Sequence, residues 1–144
     1  MQNEITVRPL VDILSEQLGE QVVMSAENYV LFRDSSIVSS ADVESATAKQ
    51  EEERQKAIKQ QLEQSVQQHI DAKAKELGYD NISSVGKYLG YENPFKVECE
   101  KLGVFNSNCW IRAFEVMKEV EGGVREIPTA QELIALLPTY GQAV

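Results

Sequence analysis

The sequence predicts a mainly α-helical chain: a short N-terminal helix plus a β-hairpin, one long linking helix, and a small C-terminal helical bundle. Three observations carry that reading. From Ser39 to Leu77 no Pro or Gly interrupts a run dominated by Ala, Glu, Gln and Lys, all good helix formers. Ahead of it, Val22-Val23-Met24 and Tyr29-Val30-Leu31-Phe32 are two β-prone runs separated by a turn-like Ser25-Ala26-Glu27-Asn28. Behind it, apolar residues recur at three- and four-residue spacing between successive cap signals. The implied division is an N-terminal helix-hairpin module over residues 1–38, a linking helix over 39–77, and a C-terminal helical module over 78–144.

The first helix is expected from Pro9 to Leu18. Leu10, Val11, Leu14 and Leu18 share a face, Pro9 is tolerated in a first turn, and Gly19 stops the run. A two-stranded hairpin is marginal in water by itself. The strands at 22–32 therefore need the first helix, another copy or a partner to pack on.

The long helix opens on a capping signal, Ser39 three residues before Asp42, and closes at Leu77-Gly78 with Tyr79 folding back. At about 1.5 Å per residue it is on the order of 57 Å long. Its first half, Lys49 to Lys56, offers nothing large and apolar, so residues 43–57 are expected to find no packing partner in their own chain. From Ile58 the apolar residues Leu62, Val66, Ile70 and Ala74 follow every fourth position. That stripe drifts slowly round the helix and suits oblique packing on a small bundle.

Two similar corners come next. Leu77-Gly78-Tyr79-Asp80-Asn81 is echoed by Leu89-Gly90-Tyr91-Glu92-Asn93, each able to end one helix and cap another. A short helix is expected over Ile82 to Leu89. Asn93-Pro94 starts a longer one that reaches Val120, with a kink near Gly103 and Asn106-Ser107-Asn108. Gly122-Gly123 stops it. Thr129 and Glu132 form a capping box for a last helix, Ala130 to Leu137, and the tail from Thr139 is expected to fray. Trp110 and the aromatics around it are assigned to the core.

Composition narrows the function. A formal charge of −9 with no basic stripe speaks against nucleic acid. No apolar run nears the roughly 18 residues of a membrane span, and Met1 to Glu4 lacks the basic start of a signal peptide. His69 is the lone histidine, without a second ligand at metal spacing, and reads as a solvated helical residue. Cys99 and Cys109, about 15 Å apart along one helix, read as two buried free thiols. No catalytic, cofactor or metal site is expected.

The segment 72–138 resembles a small C-terminal module found in tail-associated proteins of tailed bacteriophages. The resemblance is carried by Lys75-Glu76-Leu77-Gly78-Tyr79-Asp80-Asn81-Ile82, Tyr91-Glu92-Asn93-Pro94-Phe95, Trp110, Ile127-Pro128-Thr129, Glu132-Leu133-Ile134 and Leu137-Pro138. Tyr88-Leu89, Cys99 and Phe105 depart from it. It implies a non-enzymatic tail accessory protein that binds a tail-fibre or baseplate protein, in the host cytoplasm during assembly or in the virion tail. A fibre-assembly chaperone is the alternative, and a homo-oligomer stays open beside both. A small hydrolase, the rival from another class, would need a Ser or Cys nucleophile with His69 as its base. The residues expected to meet the partner are Val22, Met24, Tyr29, Leu31 and Phe32 on the hairpin, and Ile58, Leu62 and Val66 on the long helix.

Overall fold

Pro9 and Gly19 bracket the first helix, α1 (Leu10–Leu18), in a computed structural model that describes residues 7–24, 30–32 and 37–141. Strands β1 (Val22–Met24) and β2 (Val30–Phe32) pair antiparallel, Val22 opposite Phe32 and Met24 opposite Val30. The expected turn at Ser25 to Asn28 and the expected strand residue Tyr29 lie outside the described residues. α2 (Ser40–Glu76) follows, then a 3-10 helix (Ile82–Tyr88), α3 (Lys96–Glu121) and α4 (Ala130–Leu136). This is the expected mainly helical architecture. The chain divides into two compact units, and the boundary falls inside α2, between Gln60 and Gln61.

In the first unit the hairpin does what a lone hairpin must and packs on α1. Ile13 and Leu14 are fully buried with Val22, Val30, Val38 and Ala46. Each fully buried aliphatic of this size is stabilising by about 1.5–3 kcal/mol relative to exposure. Ser15 Oγ donates to Val11 O at 2.7 Å and accepts from Val22 N at 3.1 Å, which ties the start of β1 to the helix before it.

The first half of α2 departs from expectation. Ala46 is wholly buried and Val43 packs against the same cluster. Arg8 bridges Glu16 of α1 and Glu53 of α2, and Gln50 Nε2 donates to the Arg8 carbonyl at 3.1 Å. A small residue and a polar bridge hold this segment without any stripe of large apolar residues.

Both ends of α2 follow their caps. Asp42 N donates to Ser39 Oγ at 3.3 Å, and the Ser39 hydroxyl donates to Asp42 Oδ2 at 2.8 Å. At the other end Gly78 takes φ +99°, with Gly78 N bonded to Lys75 O and Tyr79 N to Ala74 O, both at 3.0 Å. That pair of bonds is the Schellman arrangement, and only glycine adopts its backbone angle without strain.

In the second unit Leu62, Val66, Ile70 and Ala74 are buried as the four-residue stripe predicts. Asn81 Oδ1 accepts from Ser84 N at 3.0 Å, and Asp71 Oδ1 accepts from Ile82 N at 3.0 Å. The segment they start is 3-10 rather than α, in keeping with two serines and Gly86, all weak helix formers. Asn93 stands two residues ahead of the N-cap, Phe95, so α3 starts at Lys96 rather than at Pro94. The Asn93 Oδ1 accepts from Phe95 N at 2.9 Å and its amide donates to Tyr88 O at 2.9 Å. α3 then runs without the expected break to Glu121, because Leu102, Phe105, Cys109, Ala113 and Val116 bury one continuous face through the weak region. Thr129 and Glu132 make both bonds of the capping box. The tail is held at Tyr140, whose ring meets Phe105 edge-on at 6.1 Å with Lys73 Nζ 5.8 Å from its centroid.

The second unit has its own buried stripe, its own caps and its own aromatic cluster, so it should fold alone. A fragment of residues 61–144 is expected to melt cooperatively, and Ile70→Ala within it to cost about 2–5 kcal/mol. A broad melt with no baseline separation would show that the unit depends on residues 1–60.

Candidate docking surface

α3 carries more apolar residues than its core face can take. The surplus lies one position round from that face, at Trp110, Phe114 and Met117. Trp110 is half-buried and Phe114 is 55% exposed, their rings 5.7 Å apart and inclined at 31°. Trp110 was expected in the core. It sits at the edge instead, because Cys109 and Ala113 hold the core-facing positions beside it.

The two rings form one wall of an apolar cleft. Met117 of α3 continues that wall, buried Leu62 and Val66 of α2 with Ala113 of α3 line its depth, and Leu133 of α4 completes the lining. Glu63, half-buried, is the one charged residue in the lining. The depression is shallow: its enclosed space is only about 10 Å³ and the rest opens to solvent. Small-molecule sites run to about 300–1,000 Å³ and enclose their ligand. A shallow apolar depression of this kind suits surface contact with an apolar group of another protein more than enclosure of a small molecule, and a Trp on the rim is a residue type over-represented where such contacts carry affinity.

The residues predicted to meet a partner fall into two groups. Val22 is buried in the first unit's core, Met24 is exposed, and Leu31 and Phe32 are half-buried. Tyr29 lies outside the described residues. Ile58 is half-buried in the first unit, while Leu62 and Val66 are buried in the second as the cleft floor. Trp110, Phe114, Met117 and Leu133 were not in that set. Their signal was present as three-four spacing, but it was spent on a core that other residues fill.

The groups with chemical potential sit apart from this surface. Cys109 is buried, burial pushes its thiol up to about 11, and its sulfur lies 3.8 Å from the Pro138 carbonyl. Cys99 is buried and free. His69 is half-buried with its ring tilted against Phe105 at 5.9 Å; burial, and then Lys73, lower its pKa. Among the described residues no cluster of three His, Cys, Asp or Glu could hold a metal, and no helix is long and apolar enough to cross a membrane. No family model matches the chain, and no curated protein or solved structure is detectably similar to it.

Two measurements check these placements. Trp110→Ala should cost clearly less than the roughly 3–5 kcal/mol of a fully buried aromatic, and Phe114→Ala should stay within about 0.5 kcal/mol. A Trp110 loss in the full range would return that ring to the core. For His69 the lowered pKa means that the unfolded chain takes up the proton first. Stability is then complete above about pH 6.5 and declines as pH falls through the lower folded value. His69→Gln should flatten the fall in Tm between about pH 7.5 and 5.5, and an unchanged slope would show that His69 titrates freely.

Proposed function

We propose that the protein is a non-enzymatic tail accessory protein of a tailed bacteriophage, and that its second unit docks an apolar side chain of a tail-fibre or baseplate component in the Trp110 cleft. The observation that carries the docking reading is the Trp110–Phe114 pair, one ring half-buried and the other exposed, beside a shallow apolar depression. Apolar rings left at a surface lower the free energy of association because water leaves both partners. The choice of partner rests on the resemblance of residues 72–138 to tail-associated modules, the stretch that also builds most of the cleft. Buried cysteines and a ring-stacked histidine fit a binding role better than nucleophilic catalysis.

A photo-cross-linking amino acid in place of Glu63, at the cleft rim, tests both halves of the reading. With the full chain supplied during phage production, the adduct is expected to contain a tail-fibre or baseplate protein and to persist in purified virions. Met117→Glu, which puts a charge in the cleft, should remove it. Adducts that survive Met117→Glu, or that hold only host proteins, would overturn the proposal.

A further inference from the structure

The face of α3 directed away from its own core carries a second apolar array. Val97, Val104 and Ile111 are 64%, 46% and 56% exposed and stand seven residues apart. Three positions after each come Glu100, Ser107 and Phe114. The next members of the two series are Lys118 and Glu121, both exposed. These are the a and d positions of a heptad repeat, read along the side of the helix opposite Leu102, Cys109 and Val116. Within one chain nothing among the described residues covers them.

We infer that this face pairs with the same face of a second copy, with the two α3 helices antiparallel. The occupant is fixed by where the charges lie in the seam. Glu100 stands near one end and Lys118 near the other, and neither makes an ion pair among the described residues. Two parallel copies in register would set Glu100 against Glu100 and Lys118 against Lys118, two like-charge layers in one short interface. Turning one copy round exchanges those contacts for attractive ones. In an antiparallel pair each a residue faces a d residue of the other helix. Lys118 then meets Glu100 of the second copy, Val104 meets Phe114, and Ile111 lies over Ser107, each contact occurring twice about one axis. Val97 at the margin rests on the methylene stem of Glu121.

The flank agrees with this register. Lys101 and Glu115 occupy equivalent flanking positions two heptads apart, where antiparallel helices bring unlike members of one series together. Lys101 has no ion pair of its own, and Glu115 is held at 3.2 Å by Arg112 on its outer side. The opposite flank brings Gly103, which has open space where a side chain would be, towards Met117 of the second copy. Bulk, charge and the one gap in the helix surface are thus all arranged for the reversed pairing.

This inference goes beyond the docking proposal and does not rest on it: Phe114 and Met117 border both surfaces, but Leu62, Glu63, Val66 and Leu133 of the cleft are outside the seam. Sedimentation equilibrium of the full chain over the micromolar range tests it. A reversible monomer–dimer equilibrium is expected. Val104→Asp should abolish it without lowering the Tm measured at dilutions where the parent chain is monomeric, because Val104 is exposed within one chain. Lys118→Glu should weaken the dimer about tenfold by placing like charges together at two symmetric positions. Adding Glu100→Lys to that variant should restore it, since the antiparallel pairs are re-formed with their signs exchanged. A parallel dimer would be indifferent to both charge variants, as each like pair would only change sign. A chain that stays monomeric, a dimer that survives Val104→Asp, or one insensitive to Lys118→Glu overturns the inference. The Glu63 cross-link is expected to persist in Val104→Asp, so the two readings fail separately.

Discussion

A single α-helix can bury one face in a bundle, and most of the second unit's surface chemistry depends on that limit. α3 has 26 residues, and the positions that reach the core are taken by Cys99, Leu102, Phe105, Cys109, Ala113 and Val116. Every further apolar residue on α3 has to go to an edge or to the far side. Trp110, Phe114 and Met117 go to the edge and make a cleft. Val97, Val104 and Ile111 go to the far side. Helix propensity does not call for such residues, because exposed positions are better filled by Ala, Lys or Glu. Their presence is a demand for something outside the fold.

The first unit meets a different shortage. Among its described residues the core is built from few side chains, with Ile13 and Leu14 the only large ones at zero exposure. Small units bury a low fraction of their surface and are marginal for that reason. Arg8 supplements the packing by joining two carboxylates from different helices, and both carboxyl groups are held below their ordinary range by its guanidinium. These groups are open to solvent, so their value lies in fixing the approach of α1 to α2 more than in free energy.

Local chemistry was the legible part of the chain. Ser39 with Asp42, Gly78 with Tyr79, and Thr129 with Glu132 each specify a hydrogen-bond pattern within six residues, and each is made as written. What sequence could not supply was competition between distant residues for the same space. Ala46 is too small to register as a stripe, yet it is wholly buried in the cluster that Ile13 and Leu14 of α1 build. Gly103 and Asn106 to Asn108 weaken a helix locally, yet the buried face across them outweighs that loss. Trp110 reads as core by size and spacing, and only the positions of Cys109 and Ala113 decide that it is not. The cleft was half legible, through Leu62 and Val66, while its aromatic wall was assigned elsewhere.

The two cysteines have a use that their inertness hides. Cys99 is fully buried beside Val85 of the 3-10 helix, and Cys109 is fully buried against the start of the tail at Pro138. Neither sulfur can meet an alkylating reagent until its surroundings part, so the rate of labelling counts opening events. They lie on one helix but are covered by different elements. Separate labelling rates would therefore time the loosening of the 3-10 corner and of the C-terminal tail independently, in the unaltered chain and without an added probe.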